Sequence, residues 1–157
     1  MKLYLVQHGE ACAKEVDPER PLTEQGQADV ERVAAFLKQA NVNVERVLHS
    51  GKRRAQQTAE CLAKVIVPDS DLETSAVINP NDDPNALDWP SACGHRDTLL
   101  VSHLPFLSKL VSHLSTGDEN QLMTAYTPGS VVCLELIEDT HWQINWMIRP
   151  ELLVRVR

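Results

Sequence analysis

The stretch Leu3-Tyr4-Leu5-Val6-Gln7-His8-Gly9-Glu10-Ala11 decides how the rest of the chain is read. Four apolar residues in a row, with Lys2 before them and Gln7 after, make a strand without the alternation of a half-exposed sheet. Such a strand is covered on both faces, as in a parallel sheet sandwiched by helices. It then breaks off at a histidine and a glycine. In open α/β sheets ligands bind beyond the carboxyl ends of the strands, so the position of His8 matters.

The same pattern recurs downstream. "ERVLHS" (45–50) is a short strand ending at His49-Ser50, and "DTLLVSH" (97–103) is another ending at Ser102-His103. Between them run segments of helical period. In "LTEQGQADVERVAAFLKQA" (22–40) Thr23 is an N-cap, Glu24 suits the first turn, and Val30, Val33, Ala34, Leu37 and Ala40 form an apolar stripe. In "KRRAQQTAECLAKVI" (52–66) Ala55, Ala59, Leu62 and Ile66 face one way, with Ser50 placed to cap the helix. "LPFLSKLVSHLST" (104–116) gathers Leu107, Leu110, Val111 and Leu114 on one side. "ETSAVI" (73–78) reads as a further strand, and from Asn79 to Arg96 the prolines and acidic residues limit any helix to a turn or two. "SVVCLELI" and "WQINWMI", joined by "EDTH", read as a hairpin. The expectation is an α/β fold: a three-layer α/β/α sandwich with a mostly parallel central sheet and a C-terminal antiparallel hairpin, formed by residues 1–157 as one domain.

Bulk properties narrow the function classes. With 157 residues, 43% hydrophobic and 24% charged, the chain has the make-up of a globular domain able to bury a core unaided. No apolar run nears the roughly 20 residues of a membrane helix. Met1 leads into a strand rather than a signal peptide, so the expectation is a cytoplasmic protein that binds no membrane. A net charge of −7 argues against a general grip on nucleic acid, though a few arginines in one cleft could still hold a phosphate. Cys12, Cys61, Cys93 and Cys133 are scattered, and no histidine or cysteine cluster has ligand spacing. Neither a disulfide framework nor a metal site is expected, and no cofactor is called for.

A topology that aligns strand ends brings His8 and His103 together. A single strand-end histidine is more often structural than catalytic. Two of them change the odds when arginines arrive from the intervening segments. Arg20 lies in the loop after the first strand, and Arg54 near the start of the helix after the second, where free backbone N–H groups favour an anion.

These residues fall in four ordered strings: "VQHGEA", "RPLTEQG", "VLHSGKRRAQQTAE" and "LLVSHLP". Together they resemble the histidine phosphatase (phosphoglycerate-mutase-like) superfamily, and the short chain is most similar to its SixA-type phosphohistidine phosphatases. The resemblance implies that His8 is a nucleophile that becomes phosphorylated. It implies that Arg54 binds phosphate, that His103 contacts the phosphoryl group, and that Arg20 is a further basic contact. Gly9, lacking a Cβ, lets the backbone approach the substrate closely. The family pattern has arginine where this chain has Gln7, which places Gln7 at the phosphate with a neutral amide. A charge-assisted bond is worth roughly 1.5–3 kcal/mol against about 1 for a neutral one. Larger members carry a glutamate proton donor in the region that here reads "VINPNDDPNALDWP", where Asp82 and Asp83 could serve but read first as a solvated acidic loop. The implied activity is a metal-independent phosphohydrolase acting on protein phosphohistidine, with a histidine phosphotransfer domain or a small phosphorylated molecule as partner. A non-catalytic phosphate-binding module and a phosphatase of small esters stay open beside it.

Overall fold

The computed structural model describes residues 1–69 and 71–153. Six strands form one sheet: β1 (Lys2–Gln7), β2 (Arg46–His49), β3 (Leu72–Thr74), β4 (Thr98–Ser102), β5 (Val131–Ile137) and β6 (His141–Ile148). Their order is β3-β2-β4-β1-β5-β6. The first four are mutually parallel, and β5 and β6 add antiparallel at the β1 edge. This is the expected three-layer sandwich.

Strand alternation divides the core in two. Tyr4 and Val6 of β1 face one side, with Val47, Leu99 and Val101, against helices α1 (Glu24–Gln39) and α2 (Arg53–Ile66). Leu3 and Leu5 face the other side, with Leu48 and Leu100, against Trp89 of the short α3 (Trp89–Ala92) and against α4 (Phe106–Thr116). Because both faces are covered, β1 shows no polar alternation. Each fully buried leucine contributes roughly 1.5–3 kcal/mol.

Thr23 caps α1 as expected, its hydroxyl accepting from Gly26 N at 2.9 Å. Four details differ from the sequence reading. Ala40 is the exposed C-cap of α1 rather than part of the buried stripe. β3 stops at Thr74: Ser75 N still reaches His49 O, but Ile78 turns into the α4-side core at 1% exposure. α4 begins at Phe106, with Leu104 outside it and partly exposed. Ser50 does not cap α2, whose N-cap is Lys52 with no side-chain bond. The reason lies in the site.

Candidate active site at the carboxyl edge of the sheet

Register brings the strand ends into line. Gln7 of β1 stands opposite Ser102 of β4, and His49 of β2 opposite Val101. The next residues, His8, His103 and Ser50, therefore leave the sheet at the same edge. His8 N donates to Ser102 O at 3.1 Å, and the two histidine rings lie 4.9 Å apart between centroids.

The hydrogen bonds assign the His8 tautomer. Its Nδ1 is 2.7 Å from the carbonyl oxygen of Gly9, which can only accept. The proton therefore sits on Nδ1, and Nε2 carries the lone pair. Arg54 Nε donates toward that lone pair at 3.4 Å. Burial, assisted by the Arg54 and Arg20 charges and opposed by the Gly9 bond, lowers the His8 pKa to about 4. A neutral imidazole with one free nitrogen at neutral pH is the form a nucleophile needs.

His103 is 2% exposed. Its Nε2 is 2.6 Å from Ser50 Oγ, and its Nδ1 is buried without a hydrogen-bond partner. Burial, then the His8 ring and the cations Arg54, Lys52 and Arg20, lower its pKa to about 3. Here Ser50 finds its use: its hydroxyl serves His103 and leaves only a 3.4 Å contact for Lys52 N. Sequence reasoning gave Ser50 the wrong task and did not single out Thr58. The Thr58 hydroxyl accepts from Gly9 N at 3.0 Å and donates to Arg54 O at 2.8 Å, tying the loop after His8 to α2. Both residues stand inside the quoted "VLHSGKRRAQQTAE" string, so the signal was there.

Gly9 has a different structural reason from the expected one, and it does not line the pocket. A Cβ there would lie 2.7 Å from Val30 Cγ2 and 3.1 Å from Gly26 O, so its smallness is demanded by the approach of α1. Arg20 reaches the site from a backbone at φ 48°, with its Nε held by Cys12 O at 3.1 Å. Gln7 is 8% exposed, its main chain bonded to Ser130 O and Gly129 N, and its Oε1 is buried without a partner.

The edge encloses a cavity of about 480 Å³ lined by Gln7, His8, Arg20, Arg54 and His103, with Glu10 as its single carboxylate. Asp82 and Asp83 do not line it: Asp82 Oδ2 accepts from Asn79 N and Asp83 Oδ1 from Asn85 N, holding their own loop. A larger hollow of about 560 Å³ beside Trp89, His113 and Trp142 shares none of these residues. Among the described residues no three His, Cys, Asp or Glu gather as a metal site. The four cysteines are free thiols. Two fixed cations, two neutral imidazoles and the N-terminus of α2, whose first turn has no acidic residue, converge where an anion could sit.

Comparison with known proteins points to the same chemistry. Residues 3–74 match the sequence model of the histidine phosphatase superfamily (branch 1). The chain is 29% identical over 155 residues to the phosphohistidine phosphatase SixA of Escherichia coli (strain K12), covering 96% of this chain and 94% of the relative. The solved structure of the protein histidine phosphatase SixA complexed with tungstate superposes with a TM-score of 0.87 at 26% identity, over 98% of this chain and 100% of that one. A phosphoserine phosphatase mutant from Entamoeba histolytica, with phosphoserine bound, shares the fold at 13% identity and a TM-score of 0.74, covering 98% and 99% of the two chains. The chain is therefore similar to the histidine phosphatase superfamily over residues 3–74 and to SixA along nearly its whole length, with two strand-end histidines and two arginines at the matching edge.

Proposed function

We propose that this chain is a phosphohydrolase that works through a phosphoryl group carried on His8 Nε2, and that its substrate is phosphohistidine in a protein. The observation that carries the reading is the His8 geometry: Nδ1 tied to Gly9 O, and Nε2 unprotonated in a cavity with two guanidinium groups. In the first step Nε2 attacks phosphorus and the bond to the leaving group breaks. In the second, water attacks phospho-His8 and releases phosphate. Arg54 and Arg20 hold the equatorial oxygens, where their planar forks meet developing charge. His103, held by Ser50, is the further group at the phosphoryl site. These cationic side chains fill the electrostatic role that a metal plays in other phosphatases, and turnover in the presence of EDTA is the expected result.

Similarity to SixA over nearly the whole chain supports a phosphohistidine substrate, with a histidine phosphotransfer domain as the kind of partner. Among the described residues no helix is long and apolar enough to cross a membrane, and we place the protein in the cytoplasm.

The test is incubation with a labelled, phosphorylated histidine phosphotransfer domain in EDTA. The label should leave the domain, and denatured enzyme from a quenched reaction should carry an acid-labile, base-stable phosphoryl group. In His8→Ala both should vanish while phosphate still binds, since the arginines supply most of the anion field. Undiminished turnover in His8→Ala would overturn the assignment.

A further inference from the structure

Gln7 sits in the wall of the cavity with a feature that an arginine could not have. Its Oε1 is buried without a partner, and the residue is only 8% exposed. Arginine carries donors alone, whereas a glutamine amide carries two donor hydrogens and an acceptor oxygen. Its terminal torsion has a broad, two-fold profile, so the amide can turn either group toward a ligand. An unpartnered buried acceptor is costly, and a hydroxyl brought by a ligand would relieve it. A fully ionised phosphoryl group has no hydrogen to offer. A singly protonated one has one.

The groups facing Gln7 across the cavity are His8, Glu10, Arg20, Arg54 and His103. The two imidazoles are neutral, and Lys52 adds a third cation through its field on His103. Net charge therefore does not select a monoanion; the hydrogen bond that Gln7 Oε1 lacks does. No carboxyl is placed as a proton donor inside the cavity either: Glu10 is exposed at its rim, and Asp82 and Asp83 are engaged in their own loop.

We propose that the pocket takes the phosphoryl group in its singly protonated, monoanionic form, with Gln7 Oε1 accepting the P–OH hydrogen, and that this proton serves the leaving group in place of a protein acid. The proposal rests on the phosphohydrolase reading and extends it to the ionisation state of the substrate. The step balances. His8 Nε2 donates its electron pair to phosphorus, and the P–N bond to the leaving imidazole breaks. The P–OH proton moves to the nitrogen that takes the bonding pair. The products are a neutral imidazole and His8 carrying a phosphoryl dianion on a cationic ring, and the total charge is unchanged.

Binding of inorganic phosphate and of sulfate, measured calorimetrically at about pH 5.5 and about pH 8.5, tests this across the second ionisation of the phosphate. Wild-type protein should bind phosphate about tenfold or more tighter at the lower pH. Sulfate, a dianion at both, should bind weakly and equally. Gln7→Leu should lose the preference, Gln7→Arg should reverse it and tighten sulfate, and Glu10→Gln should keep it. Equal or tighter wild-type phosphate binding at about pH 8.5 would overturn the proposal, as would a preference that persists in Gln7→Leu or disappears in Glu10→Gln. Sulfate tightening in acid in parallel with phosphate would put the proton on His8 or His103 and refute it too. Absence of phosphate binding at either pH would overturn the phosphohydrolase reading itself, and this inference with it.

Discussion

A histidine at the end of a buried strand is a nucleophile only if it stays neutral, and His8 is kept neutral mainly by burial. The sign of the effect can be measured. Lowering the pKa from 6.5 to about 4 means that His8 remains unprotonated, and the enzyme remains competent, well below pH 6.5. The pH profile of kcat/KM on an aryl phosphate reports the free enzyme and the free substrate. Its acid limb should bend near pH 4. A bend near 6.5 would show that His8 titrates as an ordinary exposed imidazole. The same scale explains the serine. Ser50 looks like a helix cap from its position alone, and only the 2.6 Å approach of His103 reassigns it.

At the scale of elements, the site depends on how closely α1 approaches the loop that follows His8. The ideal Cβ of an alanine at position 26 would lie 2.1 Å from Glu10 O, a backbone atom that cannot simply swing away. Thr23 N also donates to Glu10 O, so helix and loop are joined at that point. Gly26→Ala should therefore push α1 off the loop, despite the roughly 0.8–1 kcal/mol by which alanine is the better helix former. The expected result is a loss of about 2 kcal/mol or more in denaturant unfolding, typical of overpacking, with a fall in kcat as His8 and Arg20 lose register. Unchanged stability would mean that the loop yields freely and that this contact does not position the site.

For the whole molecule, the two histidines link folding to pH. Above pH 6.5 they are neutral in both folded and unfolded chains and contribute nothing to the pH dependence. As pH falls below 6.5 the unfolded chain takes up protons that folded His8 and His103 refuse until about pH 4 and about pH 3. Stability should therefore decline through that window. Glu73 and Glu151, whose carboxyls are held below their ordinary value chiefly by the Arg46 hydrogen bonds and by a backbone hydrogen bond respectively, add to the decline at its acid end. Thermal melts between about pH 7 and about pH 4.5 should show Tm falling in the wild type and falling less in a His8→Asn, His103→Gln double variant. Parallel curves would show that the pair does not carry this linkage.

Much of this was legible in the chain itself. Continuous apolar strands, helical stripes between them and a closing hairpin specify a parallel-centred sandwich, because each pattern is a local response to what covers it. His8, His103 and Arg54 could be named because they stand just past strand ends or at a helix start, positions that such a topology must bring to one edge, and Arg20 because it lies in the loop that follows the first strand. The tertiary structure decided what depends on distances between segments remote in sequence. It gave Ser50 to His103, which sits 53 positions away, and Thr58 to Gly9, 49 positions away. It gave Gly9 to the packing of α1 rather than to the pocket, and it turned Ile78 out of a strand into the core. It also left Gln7 with a buried acceptor and no partner. Local sequence dictates backbone pattern through sterics and periodicity. Which hydroxyl meets which ring, and which oxygen goes unpaired, is settled only when register and packing fix the third dimension.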